Sequence, residues 1–265
     1  MEIPYSRWYS AIDQRRARRR FDPRPVDSNL LNRLHSVCIE FRPFPEVRAV
    51  LVNQSPDKVL KGVIGAYGKI KGAPAFLAFL GIMESSHVQE RVGYLGEGIV
   101  LEATALGLGT CWVAGMFRPE VAATLAGTGK NEKVIAVSPV GYAAQHWSME
   151  EKIMTGFGRT HRRKPLSELV NGLEEVKWTP WTKKALETAR LAPSAVNRQP
   201  WRFLIGRDDV TVSVDNLSDT YHVSKRLDCG IAMLHLEVGA LNEGVRGTWE
   251  FLSPPDVSRF RFKKY

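Results

Sequence analysis

Between Ala192 and Phe203 the chain reads Ala-Pro-Ser-Ala-Val-Asn-Arg-Gln-Pro-Trp-Arg-Phe. Ser194, Asn197 and Gln199 place one hydroxyl and two amides within six residues. Such groups donate and accept hydrogen bonds at once, so the stretch suits the edge of a planar, polar heterocycle. Pro193 and Pro200 bracket a turn, and an Asx-type turn with Gln199 exposed is the other use of the same residues. Trp201 reads as the anchor of the turn in the core. Cations gather at Arg15, Arg16, Arg18, Arg19 and Arg20, at Arg159, His161, Arg162, Arg163 and Lys164, and at Lys263 and Lys264. With a net charge of +9, these clusters would attract an anionic cofactor or a nucleic acid, or form a solvated basic helix face. No RNA- or DNA-reading signature accompanies them, which argues against nucleic acid as the main partner.

Other chemistries lack their residues. His35, His87, His146, His222 and His235 lie apart without ligand spacing, so no metal set is read. Cys38, Cys111 and Cys229 are odd in number and scattered, as in reduced thiols of a cytoplasmic protein. Cys111 reads as a buried strand residue. Gly127-Thr128-Gly129-Lys130 has neither the glycine spacing nor the following Ser or Thr of a P-loop. No run of 18 apolar residues is present and Met1–Ser10 has no apolar signal core, so neither a membrane span nor secretion is expected.

The elements that must position these groups follow from periodicity and breakers. Residues 6–20 read as a helix that turns very basic before Asp22-Pro23-Arg24-Pro25. A second helix runs from an Asp27 or Ser28 cap to about Phe41. Strands are expected at 47–53, 75–80, 110–113 and 134–140. Helices are expected at 59–67, 86–108 (the longest), 119–125 and 165–169. After Trp178-Thr179-Pro180-Trp181 a second series begins: helix 183–191, strands 201–206 and 210–215, helix 228–242 and strand 248–252. The two series resemble each other. Leu101–Gly109 aligns with Leu236–Gly244 with five identities in nine positions, and each is followed by a strand carrying a tryptophan, Trp112 or Trp249. We read an internal duplication, with residues 1–172 as the first half and 173–265 as a shortened second half.

Three parts of the chain resemble the FMN-dependent nitroreductase family. Arg15 to Val26 is similar to its arginine-rich opening. Gly107 to Gly115, Pro139-Val140-Gly141-Tyr142 and Arg163-Lys164-Pro165-Leu166 are similar to its C-terminal half in the expected order. Ala192 to Phe203 is similar to its flavin-binding turn. The order is unusual, because in ordinary members the turn closely follows the arginine opening. Here that slot holds His35 to Pro45, and the turn stands in the second half, which has no arginine opening of its own.

The resemblance implies an α+β fold of mixed, mainly antiparallel sheets flanked by helices, duplicated within one chain so as to mimic the family homodimer. It implies one FMN per chain, bound between the halves of a monomer; a swapped dimer is the other arrangement. It assigns the FMN phosphate to Arg15, Arg16 and Arg19, with Arg163 and His161 from the end of the first half. The ring edge and ribityl chain fall to Pro193, Ser194, Ala195, Asn197 and Gln199, and the N5 edge to the backbone at Ala114 and Gly115. No side chain is expected to be catalytic, since the flavin carries the chemistry. NADH or NADPH would supply electrons, and a nitro compound, a quinone or a similar small acceptor would take them. Two departures stand out: Ala17 replaces a common serine, and Ala114 replaces a common acidic residue. They leave a flavin- or nucleotide-binding protein without turnover as the alternative.

Overall fold

The computed structural model describes residues 1–60, 70–145, 162–220 and 222–262. In chain order the first series comprises α1 (Tyr5–Gln14), α2 (Ser28–Glu40), β1 (Val47–Val52), α3 (Asp57–Leu60), β2 (Ala75–Ile82), α4 (Val88–Ala105), β3 (Gly109–Thr110), β4 (Val113–Ala114), α5 (Pro119–Ala126) and β5 (Glu132–Gly141). Then come α6 (Leu166–Leu169), β6 (Val170–Gly172), α7 (Pro180–Arg190), β7 (Trp201–Ile205), β8 (Asp209–Val214), α8 (Lys225–Asn242), β9 (Gly247–Phe251) and β10 (Asp256–Phe262). A 3-10 turn, Ala195–Asn197, lies between α7 and β7. None of the described helices is long and apolar enough to cross a membrane.

Local chemistry sets several helix starts. The Asp27 carboxylate accepts from the backbone N–H groups of Asn29 and Leu30 at 2.9 and 3.3 Å, closing the first turn of α2. Thr179 caps α7, where Pro180 needs no donor. Ser224 accepts from the Arg226 N–H at 3.2 Å and caps α8.

Among the described residues the strands form two five-stranded sheets. One runs β1-β2-β5-β3, with β4 also on β5; the other runs β6-β7-β8-β10-β9. All pairings are antiparallel except β6 with β7. This is the expected α+β architecture. The helices α4 and α8, 18 residues each, are buried along most of their length and join the two sheets through one continuous apolar core. Where they cross, a Cβ on Gly93 would collide with the Leu227 carbonyl oxygen, and one on Gly230 with that of Glu90. Each glycine therefore admits the other helix's backbone.

The expected helix 6–20 stops at Gln14. Five arginines in six positions would set like charges three and four residues apart with no apolar face to bury. Residues 17–22 instead run extended and pair with open backbone: the Arg18 N–H donates to Thr110, that of Phe21 to Lys71, and that of Asp22 to Tyr142. The strand β10 was not expected, although Val257, Ser258 and Phe260 are fully buried. It supplies the position between β8 and β9. The expected helix 59–67 is described only to Leu60.

The ends of α4 and α8 match in a different register from the aligned run. Gly107 and Gly244 have φ of +78° and +77° and end α4 and α8 with the same bonds. Leu108 donates to Ala103 as Val245 donates to Ala240, both at 2.9 Å. Gly93 with Gly230, Gly107 with Gly244 and Trp112 with Trp249 thus share one register, whereas the sequence run pairs Gly109 with Gly244. The strand orders correspond too, β1-β2-β5-β4 to β7-β8-β10-β9.

Candidate functional site

The turn after α7 departs from ordinary backbone. Val196, Asn197 and Gln199 have φ of 47°, 56° and 49°, a region that costs a side-chain-bearing residue roughly 1–2 kcal/mol. Bonds on both sides hold it there. The Ser194 hydroxyl accepts from the Gln199 N–H at 2.9 Å. Asp228, on the first turn of α8, accepts from the Ala195 N–H at 3.1 Å and from Arg198 Nε at 2.7 Å. Arg198 donates further to the carbonyls of Thr220 and Val223 at 3.2 and 3.0 Å. Burial pushes the Asp228 carboxyl up to about 6 against the opposing pull of Arg198.

The turn grips the end of the first half. Gln199 Oε1 accepts from the Lys164 N–H at 2.8 Å, and Gln199 Nε2 donates to the Arg162 carbonyl at 3.0 Å. Asn197 Nδ2 donates to the same carbonyl at 3.0 Å, while Asn197 Oδ1 accepts from the Arg163 guanidinium. Arg163 donates a second time, to the Leu191 carbonyl at 3.1 Å. Its pKa is pushed down to about 10 by burial and then by the charges of Arg15, Arg190 and Arg16, with Glu97 opposing. Cations are thus gathered here against mutual repulsion.

Arg15 is 8% exposed, and among the described residues its Nε has no hydrogen-bond partner. Burial lowers its pKa, and Glu97, 3.8 Å away, counteracts this. Glu97 is fully buried on α4. It accepts from Trp112 Nε1 at 2.7 Å and faces His235 Nε2 at 2.9 Å. His235 Nδ1 faces the Thr188 carbonyl at 3.2 Å. Both ring nitrogens therefore face oxygens. Glu97 links the arginines to Trp112, which leads into Ala114 and Gly115. These two line a cleft of about 450 Å³ together with Lys133, Asp219, His222 and Ser224.

Arg15, Arg163, Ser194, Asn197 and Gln199 thus gather in one cluster from three distant parts of the chain. Arg16 is exposed and donates to the carbonyls of Asp13 and Arg15, both at 2.8 Å, at the end of α1. Arg19 lies in the extended segment, its carbonyl accepting from Lys71. Pro193 leads into the turn, and the Ala195 N–H is spent on Asp228. His161 lies outside the described residues. Sequence reading missed Glu97, Asp228 and Arg198. Glu97 was findable as the carboxylate set between two glycines, Gly96 and Gly98, in the middle of α4.

The corresponding place on the other side of the molecule is filled. Phe251 stands in register with Ala114, and Phe44 follows α2 as the turn follows α7. Their rings meet at 5.4 Å. Arg91, in register with Asp228, lies over both and pairs with Glu46 at 2.8 Å.

The family model described as "Putative TM nitroreductase" matches residues 7–240. Among solved structures, a "putative nitroreductase" of Thermotoga maritima is 19% identical with a TM-score of 0.63, over 96% of this chain and 93% of that one. A nitroreductase family protein of Clostridium novyi is 20% identical with a TM-score of 0.44, over 55% of this chain and 87% of its own. A nitroreductase with bound FMN from Bacteroides fragilis is 16% identical with a TM-score of 0.42, over 54% of this chain and 91% of its own. No curated protein matches.

Proposed function

The chain belongs to the family described as "Putative TM nitroreductase", and from that premise we propose that it is an FMN-dependent oxidoreductase. In this reading one FMN per chain passes electrons from NADH or NADPH to a nitro compound, a quinone or a similar small acceptor. The observation that carries it is the guanidinium cluster of buried Arg15 and half-buried Arg163, the latter clasped by the turn at Asn197.

The residues fit a phosphate monoester. Arg15 brings a buried Nε without a hydrogen-bond partner among the described residues, and planar guanidinium forks match phosphate oxygens. Charge-assisted bonds of this kind contribute roughly 1.5–3 kcal/mol each. Arg15, Arg19 and Arg163 would hold the phosphate, with Arg16 and His161 as its further cations, and Pro193 to Gln199 would border the rest of the ligand. FMN supplies the two-electron chemistry when bound. The backbone at Ala114 and Gly115 would donate toward the ring's redox edge and stabilise charge that develops there. The cleft beside Gly115 would admit the acceptor. Glu97 keeps Arg15 and Trp112 in place between the two ends.

We also read the chain as a cytoplasmic monomer in which residues 1–172 and 173–265 stand for two subunits. The matching strand orders support this, as does β6, which leaves the first half to pair with β7 of the second. The filled position at Phe44 and Phe251 supports a single site.

The test is to add FMN to flavin-free protein, remove unbound flavin, and expose the product anaerobically to NADH or NADPH. The protein should retain yellow colour and bleach with at least one donor. A protein that stays colourless contradicts the reading. Retained colour that neither donor bleaches would favour a binder without turnover, the reading that Ala17 and Ala114 support.

A further inference from the structure

The two amides on the turn are oriented toward the chain itself. Gln199 is 3% exposed, and both ends of its amide bond the backbone of Arg162 and Lys164. Asn197 uses one end on the Arg162 carbonyl and the other on the Arg163 guanidinium. Lys164 Nζ returns to the carbonyls of Arg198 and Gln199 at 3.2 and 3.4 Å. Residues 162–164 are thereby laced to the second half on both sides of Arg163. Left alone, Arg163 would be driven away from Arg15, Arg16 and Arg190 by charge and toward water by desolvation. The laced backbone and the bond from Asn197 oppose both.

We propose that Asn197 and Gln199 are positioning residues for Arg163, so that this turn selects the phosphate of its ligand rather than reading a ring edge. The proposal rests on the FMN reading for the identity of the ligand and departs from the ring-edge role that the family resemblance gives these amides. The rigid left-handed turn, fixed by Ser194 and Asp228, becomes the frame of a phosphate clamp that spans the halves.

The experiment compares FMN with riboflavin, which has the same ring and ribityl chain without the phosphate, and adds inorganic phosphate as a third probe. The variant is Asn197→Gly, because glycine takes the φ of 56° without strain. Asn197→Asp serves as a second variant, since it keeps the acceptor for Arg163 and tolerates the same backbone. Titrations follow flavin fluorescence, and thermal unfolding with and without phosphate follows the third probe. In Asn197→Gly FMN should bind about tenfold or more weaker, and Asn197→Asp, which keeps the acceptor, should lose less, while riboflavin changes less than about twofold in either. The stabilisation by inorganic phosphate seen in the wild type should shrink.

Equal weakening of FMN and riboflavin would place the amide against the ring and overturn the proposal. Unchanged FMN and phosphate binding would overturn it as well. If the wild type binds neither flavin, the FMN reading fails, and the phosphate arm still decides the clamp. A phosphate effect that Asn197→Gly abolishes supports the clamp, and no phosphate effect in the wild type contradicts it.

Discussion

Val196, Asn197 and Gln199 hold left-handed backbone without being glycine, and Asp228 carries much of the bonding that keeps them so. Burial holds the Asp228 carboxyl at about 6 against an ordinary 3.8. Between those values the folded state binds a proton that the unfolded state lacks. Stability from this group therefore rises as pH falls from about 6 to 3.8 and is lost as pH rises through 6. The difference corresponds to about 3 kcal/mol. Urea denaturation of wild type and Asp228→Asn from pH 4 to 7 should show the wild type gaining about that much on the variant at the acid end. A constant difference across the range would contradict the assignment. The residue types of this site were legible in the sequence, since a hydroxyl and two amides beside two prolines announce a polar turn. Their partners were not, because residues 162–164 are distant along the chain and only the fold delivers them.

At the scale of elements, the crossing of α4 and α8 decides how the two sheets are held. Gly93→Ala and Gly230→Ala each force a methyl group against a carbonyl of the facing helix. Each should destabilise the protein by about 1–3 kcal/mol, read from the midpoint of chemical denaturation. Wild-type stability in both would show that the helices can part without loss. Most helices and strands were legible because their apolar periods and caps agree. The failures have distinct physical causes. Residues 15–20 offered helix-forming arginines but no apolar face, and strand partners at Thr110 and Lys71 took them. The alternation in Asp256–Phe262 was masked by the arginines between its buried residues. The aligned run at Leu101–Gly109 matched leucines and alanines that recur in any buried helix. The caps at Gly107 and Gly244 give α4 and α8 matching ends in a different register.

For the whole molecule, the order of motifs carried more than any motif alone. An arginine cluster early in the chain and a polar turn late in it led to the expectation of a site completed between halves; the fold sets Arg163 against Asn197 of that turn. The filling of the opposite position by Phe44, Phe251 and Arg91 was not legible, because single aromatics in a sequence do not announce whom they face. On the proposed reading, these features belong to a monomer with one composite site. Sedimentation of the FMN-saturated protein, followed at both the protein and the flavin absorbance bands, tests that claim most directly. The account predicts one FMN per chain on a particle of a single chain's mass. Two FMN per chain, or flavin carried only by a two-chain particle, would contradict it.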